Sequence, residues 1–506
     1  MHLLKKTIVL IFLLLLCAGI LFAQQKAPKS AFKNVIFIVS DDHTASVLGA
    51  YGNKLIRTPN LDRMAQRGIL FEHAYANAPL CSPSRQSVLT GKYPHATGVS
   101  LLQSSFPEEQ VTIADHLSAI GFKTAIIGKN HFNNALNHGF ELKIERKDYV
   151  KHLEENPPAL LPDTVKVRPE WRPFKDPANI WLNAEGLPSA TYDKDQAGTY
   201  FANKAVEYIR ENKDDRFLLW VGFEEPHSPY NFPIEYANKY NPKDITLPVG
   251  SPEDDRWIPE IFRGLTDEEK KGIIASYYSS VEFMDKNVGL ILDAVEKSGL
   301  SENTLVVYIG DNGYLLNDHK RFEKHTMWEQ AVRVPLIIQA GNKFGKDRRV
   351  SALTEFVDLV PTAIDALGVK PLATAQGKSF LPVLGKQSDR YKDFVFSEYL
   401  EDNKVMIRTE RWKYVFTSGK KDLALGYATG YPPPGRLHFL YDLTADPGET
   451  RNAINDPDKK SIVRDLQHKL IALFEKTHPK GKLPDHLSID EKLEIYSDPP
   501  ELAAKK

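Results

Sequence analysis

Short, unbroken β-branched runs that end in polar clusters, separated by stretches of helical periodicity, constrain this fold more than any other feature of the chain. Asn34–Ser40 runs into Asp41, Asp42 and His43; Thr124–Ile127 leads to Gly128, Lys129, Asn130 and His131; Thr304–Ile309 leads to Asp311 and Asn312. Phe217–Phe223 and Val334–Gln339 have the same character. A continuous apolar run of this length reads as a strand covered on both faces, the kind found in parallel sheets. Between these runs, Thr112–Ile120, Asp195–Arg210, Ile274–Lys297 and Phe356–Leu367 carry apolar residues at helical spacing. The alternation predicts an α/β fold with a mixed, mostly parallel central sheet flanked by helices. Ligands in such sheets gather beyond the carboxyl ends of the strands. The polar clusters fall there.

Near Gly377 the pattern changes. Phe394–Tyr399, Val405–Thr409, Trp412–Thr417 and Leu437–Leu443 are short strand-like runs, followed by a helical stretch at Lys460–Lys476. Strands followed by one helix predict a smaller C-terminal α+β domain around an antiparallel sheet. A chain of 506 residues exceeds one ordinary core, so two domains are expected: 24–385, then 386–490, with a tail at 491–506. Residues 141–192, rich in Pro, Trp and charge, read as a long surface insertion, and Tyr230–Gly264 as another. Such insertions shape a pocket or serve as structural crossovers. With a formal net charge of −1 and no basic run, nucleic acid is not an expected partner.

At the N-terminus, Lys5 and Lys6 precede an apolar run from Ile8 to Ala23, then polar Gln24, Gln25 and Lys26. That is the layout of a secretory signal, residues 1–23, removed after Ala23. The run is shorter than the roughly 20 residues a spanning helix needs, which favours removal over a retained anchor. A lipoprotein reading through Cys17 fits less well, because Leu16 stands where a small residue belongs. The protein is therefore expected to be exported, periplasmic or extracellular, with no stable membrane span after signal removal. Cys17 leaves with the signal and Cys81 alone remains. A lone thiol in an oxidising compartment is either buried or used, and composition alone favours a buried, inert Cys81.

The neighbours of Cys81 reverse that preference. Pro79-Leu80-Cys81-Ser82-Pro83-Ser84-Arg85, continuing to Leu89-Thr90-Gly91, resembles the signature of the formylglycine-dependent (type I) sulfatases of the alkaline phosphatase superfamily, in their bacterial exported polysaccharide-degrading form. The stretch from Gly121 to His131 resembles the second signature of that family. Phe217–Val221 leading to Pro226-His227-Ser228-Pro229, and Asp318 to Glu329 ahead of Val332-Arg333-Val334-Pro335, resemble further family segments. Leu440-Tyr441-Asp442-Leu443 with Asp446-Pro447-Gly448-Glu449 and Asn452 resembles its C-terminal segment. The resemblance runs from about Asn34 to Asn452.

The resemblance implies an alkaline-phosphatase-like sheet and a specific chemistry. A formylglycine-generating maturation enzyme would oxidise Cys81 to formylglycine, whose hydrate carries two hydroxyls. One attacks sulfur, and the other expels sulfate as the aldehyde re-forms. Asp41, Asp42, Asp311 and Asn312 would hold a calcium ion with residue 81 as a further ligand. Hard oxygen donors of this kind suit Ca²⁺ or Mg²⁺ rather than zinc, although each acidic pair taken alone also reads as an ordinary turn. Arg85 would lie on the same helix side as Cys81 and hold the formylglycine oxygen. Lys129 and Lys324 would bind sulfate, with His325 as the competing alignment for Lys324. His131 would take the hydroxyl proton and His227 would serve the leaving-group oxygen. His319 and Arg333 are substrate-binding candidates, His319 being equally a surface histidine. Asn130 stands where the family has an aromatic residue, which puts the pocket wall in question. The expected substrate is a sulfated carbohydrate, cleaved at a terminal sugar. A phosphonate or phosphodiester hydrolase is the competing reading within the superfamily. A non-catalytic carbohydrate-binding relative would be expected to lack Cys81, Arg85 or a metal carboxylate, and all are present.

Overall fold

The computed structural model describes residues 32–169, 176–256, 258–387, 390–421 and 435–503; the expected signal at 1–23 lies outside them. The nine strands of the larger sheet are β1 (Asn34–Ser40), β2 (Ile69–Tyr75), β3 (Lys123–Gly128), β4 (Leu142–Ile144), β5 (Phe217–Gly222), β6 (Thr304–Gly310), β7 (Arg333–Gln339), β8 (Arg348–Val350) and β9 (Thr354–Glu355). Their order is β4-β3-β5-β1-β6-β7-β2-β8, with β9 also on β2. β1 pairs in parallel with β5 and β6, and β3 in parallel with β5. β7 runs antiparallel to both of its neighbours, β6 and β2.

Every residue of β1, β5 and β6 is buried, and the period-2 geometry of a strand explains why the runs are unbroken. Ile36 and Ile38 enter one core with the helices Pro59–Gln66, Ala197–Glu211 and Asp267–Lys297. Val35, Phe37 and Val39 enter the opposite core with the helices Cys81–Thr90, Ile113–Ser118 and Leu359–Ala366. Each such side chain contributes about 1.5–3 kcal/mol by leaving water, so both faces have to be apolar. The 31-residue helix Asp267–Lys297 starts from a Thr266/Glu269 capping box, with acidic residues where the helix dipole favours them.

Two stretches depart from the expectations. The periodicity did not mark β2, because Glu72 and His73 interrupt its apolar run and a bulge between Phe71 and Ala74 breaks its register with β7. The 141–192 insertion is not wholly irregular. It contains the helix Arg146–Glu155, started by a Glu145/Asp148 capping box and burying only Tyr149, so it lacks the apolar stripe that announces a helix.

The second sheet is antiparallel, in the order β10 (Phe394–Tyr399), β11 (Lys404–Thr409), β12 (Trp412–Thr417) and β13 (Leu437–Asp442). The helix Lys460–Thr477 packs on it through Leu466, Leu470 and Phe474. The helix Ile489–Tyr496, capped by Ser488 and Glu491, runs across position 491 and adds fully buried Leu493 and Tyr496 to the same core. Spaced three apart, these two residues share one helix face, so packed structure continues into the stretch expected to be a tail. Buried Lys413 of β12 ties the two sheets together, with its ammonium 2.8 Å from Glu329 and 2.7 Å from Glu449. Among the described residues no helix is long and apolar enough to cross a membrane.

Candidate active site

Because β3, β5, β1 and β6 are parallel neighbours, the residues that follow them meet at one edge of the sheet: Lys129, His227, Asp41–Asp42 and Asp311–Asn312. β7 runs the other way, so the loop that precedes it, carrying Lys324, begins from the same edge. The helix Cys81–Thr90 follows β2, and all ten of its residues are buried. Two glycines allow the close approach of these elements. A Cβ on Gly222 would lie 2.1 Å from the Lys129 carbonyl, and one on Gly128, which has φ +88°, would lie 2.1 Å from the Gly222 carbonyl.

Asp311 is the hub. Its Oδ1 accepts from the backbone N–H groups of Asp42 (3.0 Å) and Asn312 (2.8 Å), and its Oδ2 accepts from Arg85 Nε at 2.8 Å. The Arg85 guanidinium also donates to the Lys129 carbonyl at 2.8 Å and stands 3.9 Å from Asp41 Oδ1. Asp42 has φ +62°, held by the Asp311 contact and by the Tyr277 hydroxyl, which donates to the Asp42 carbonyl at 2.5 Å. Asp42 Oδ1 receives Asn312 Nδ2 (2.8 Å) and Lys324 Nζ (2.6 Å), while Lys324 Nζ lies 3.0 Å from Cys81 Sγ. Lys129 pairs with Asp41. His227 Nε2 is 3.7 Å from Asp42 Oδ2, and its Nδ1 is 2.7 Å from the Ser228 carbonyl.

The structure thus gathers Asp41, Asp42, Cys81, Arg85, Lys129, His227, Asp311, Asn312 and Lys324 into one cluster. Lys324 and not His325 enters it; the His325 ring packs on Tyr399, 5.2 Å between centroids. His131 occupies the Lys129 loop with its carbonyl held by Gln86 (2.9 Å) and its ring Nδ1 buried without a hydrogen-bond partner. Burial, then Lys129 and Arg85, push the His131 ring well below the usual imidazole range. A neutral ring can accept a proton. His319 and Arg333 make their contacts elsewhere. The His319 ring lies parallel to Trp328 at 4.0 Å and bonds Asp254 at 2.9 Å. Arg333 pairs with Glu329 at 3.6 Å and donates to the Glu72 carbonyl at 3.3 Å, beside the Lys413 network.

Charges at the cluster are balanced in an instructive way. Burial alone would raise the Asp41 carboxyl, but Lys129, with His227, Arg85 and Lys324, holds it well below the ordinary range. Burial and the Asp41 charge push Asp311 up to about 7 despite Arg85. The Cys81 thiol is raised by burial, so the side chain is not a ready thiolate nucleophile. Three carboxylates face three cations, and two carboxylate oxygen sets converge with Cys81. Asp41, Cys81 and Asp311 form one ligand group and Asp42, Cys81 and His227 another, with the ligand atoms of each within 4.8 Å of one another. Asp41 Oδ1 and Asn312 Oδ1 are buried with no hydrogen-bond partner. An unsatisfied buried acceptor costs about 1–3 kcal/mol, a cost that coordination removes. The donors fit a hard divalent cation.

A cavity of about 690 Å³ opens beside the cluster, lined by Asp41, Lys129 and His227 and, from the insertion, by Arg146, Tyr149 and Arg168. Glu224 and Glu225 also line it, and burial with the Glu224 charge pushes the Glu225 carboxyl up to about 8. Sequence reasoning named none of Arg146, Tyr149, Arg168, Glu224 and Glu225; the Glu-Glu immediately before Pro226 was the one signal available. Asn130, the departure from the family pattern, bonds Glu145 at 2.8 Å and so ties the Lys129 loop to the insertion. Trp181 of the insertion is core, 2% exposed, and is not a platform for a sugar.

Comparison with known proteins identifies the family. The family model described as Sulfatase matches residues 33–369, and that of the N-sulphoglucosamine sulphohydrolase C-terminal region matches 317–476. The chain is 29% identical to an N-acetylglucosamine-6-O-sulfatase of Bacteroides thetaiotaomicron, over 89% of this chain and 87% of that protein. In fold it is similar to a phosphonate monoester hydrolase of Agrobacterium radiobacter, with a TM-score of 0.73, 22% identity, and 87% and 95% of the two chains covered. It is also similar to a protein solved with its substrate D-glucosamine-2-N,6-O-disulfate, with a TM-score of 0.70, 23% identity, and 90% and 100% covered. The first family match spans most of the chain and contains every residue of the cluster, and the chain belongs to the sulfatase family of sulfuric ester hydrolases.

Proposed function

We propose that this enzyme removes O-sulfate from a sugar of a sulfated poly- or oligosaccharide, using residue 81 as formylglycine and a calcium ion held by Asp41, Asp42, Asp311 and Asn312. The observation that carries this reading is the position of Cys81. It stands at the first turn of a buried helix, 3.0 Å from Lys324 and within a ring of carboxylates. When present, formylglycine supplies an oxygen nucleophile where the thiol stands, and calcium withdraws charge from it and from the sulfuryl oxygens. The chain supplies the rest. Arg85 bridges Asp311 and the Lys129 loop, fixing residue 81 against the carboxylates. Lys129 and Lys324 present ammonium groups to the sulfuryl oxygens. Neutral His131 accepts a proton from the residue-81 hydroxyl, and His227 gives one to the departing sugar oxygen. The similarity to the N-acetylglucosamine-6-O-sulfatase supports a sugar sulfate. The N-terminal signal pattern supports export and maturation by a formylglycine-generating enzyme.

The test is direct. Protein produced with a maturation enzyme should carry an aldehyde at residue 81 by mass spectrometry and release the phenol from an aryl sulfate in preference to an aryl phosphonate monoester. Chelation should remove that activity and calcium restore it. Cys81→Ala should abolish turnover. Full turnover by protein bearing an unmodified thiol, or by metal-free protein, would overturn the reading.

A further inference from the structure

The wall of the cavity holds a cation that the reaction just described does not use. Of the three positive side chains that line it among the described residues, Lys129 is paired with Asp41, and Arg146 with Glu224 at 2.6 Å. Arg168 has no carboxylate partner among the described residues. Its terminal nitrogens donate to Asn231 Oδ1 at 2.8 Å and to the Pro169 carbonyl at 3.4 Å, and its Nε is buried without a hydrogen-bond partner. Burial also draws the Arg168 guanidinium down from its ordinary value, but arginine remains charged in proteins. A half-buried charge without a counter-ion is disfavoured unless a ligand completes it.

Arg168 is also held in place. Its backbone N–H donates to the Pro188 carbonyl at 2.9 Å, and Asn231 Oδ1 is braced in turn by the Ser189 hydroxyl at 3.4 Å. A guanidinium positioned before binding recognises a planar or tetrahedral anion without paying for its own ordering. Lys129 and Arg168 line the same cavity, which lies within the ~300–1,000 Å³ range of small-ligand sites. A sugar whose reacting sulfate sits at Lys129 places its other substituents in the cavity that Arg168 lines. We infer that Arg168 forms a second anion subsite, which selects sugars bearing another anionic group, a carboxylate or a second sulfate, near the sulfate that is removed. The inference rests on the sulfatase reading above.

The experiment compares matched pairs on the matured, calcium-loaded enzyme: N-acetylglucosamine 6-sulfate against glucosamine-2-N,6-O-disulfate, and glucose 2-sulfate against glucuronate 2-sulfate, with 4-nitrophenyl sulfate alongside. The doubly anionic member of at least one pair should show about tenfold or greater kcat/KM, and the pair that discriminates identifies the second group as sulfate or carboxylate. Arg168→Gln should lower that ratio about tenfold, mainly through KM, with Arg168→Lys retaining part of it. Turnover of 4-nitrophenyl sulfate without discrimination in either pair overturns the subsite and leaves the sulfatase reading standing. So do equal losses on both members of a pair in Arg168→Gln. Sulfate release from none of the five compounds overturns the reading beneath it.

Discussion

His227 shows how a single side chain's role follows from its setting. Burial lowers its pKa while Asp42, 3.7 Å away, raises it, and the Ser228 carbonyl fixes Nδ1 at 2.7 Å, leaving Nε2 to face the cavity and the cluster. A proton donor matters most when the departing oxygen is a poor leaving group. His227→Ala should therefore cost about 10²–10⁴-fold in kcat on alkyl or sugar sulfates, and much less on aryl sulfates with acidic phenols. The check is a series of sulfate esters graded by leaving-group pKa: a steeper dependence in the variant supports the role, and parallel lines sink it. At this scale much of the cluster was legible, because Cys81–Arg85, Lys129–His131, His227 and the acidic pairs sit in contiguous strings that sequence alone displays. His319 and Arg333 were not legible as to direction. The first is claimed by Asp254 and Trp328, the second by Glu329, and no local pattern says which way a loop side chain turns. Arg146 and Glu224, 78 positions apart, carry no motif, and neither does Arg168.

At the scale of elements, the unbroken runs marked β1, β5 and β6 to within a residue or two because burial on both faces leaves no polar position. β2 escaped because a strand crossed by a bulge loses that signature, and the helix Arg146–Glu155 escaped because it buries one residue. The contact between the end of the helix Lys460–Thr477 and the short helix Pro94–Thr97 was equally hidden, and it makes stability depend on pH. The His95 ring stacks on His478 at 5.1 Å and bonds Glu398 (3.0 Å) and Thr477 (3.0 Å). His478 is 4% exposed, and burial, then His95 and Lys480, push its pKa down to about 3. The folded protein keeps this ring neutral where the unfolded chain takes up a proton, below about pH 6.5. Its contribution is complete above pH 6.5 and is lost as pH falls toward 3, by at most about 1.4 kcal/mol per unit. Chemical denaturation at pH 7.5 and 4.5 should show His478→Gln losing about 2–3 kcal/mol less than wild type over that interval. Identical losses would show that the ring protonates in the folded state.

For the whole molecule, the arrangement of chain direction decides what kind of substrate fits. Four parallel strand ends, the reversed β7 and the helix that begins at Cys81 bring the cluster to one edge, so its groups surround residue 81 on several sides. The insertion reaches that edge: Arg146, Tyr149 and Arg168 line the same cavity as Lys129 and His227, and Asn130 with Glu145 fastens it to the Lys129 loop. If a site walled in this way admits only the end of a polysaccharide, the enzyme acts in exo fashion. On a sulfated polymer, the rate of sulfate release per sulfate group should then be low. It should rise in proportion to new ends once a lyase or glycoside hydrolase has cut the chain, and product analysis should show loss of sulfate from terminal sugars alone. Asn130→Ala, which unfastens the insertion, should narrow the difference between polymer and oligosaccharide. Equal rates per sulfate group on intact polymer and short oligosaccharides would mean that the insertion leaves an open groove, and endo action would replace this reading.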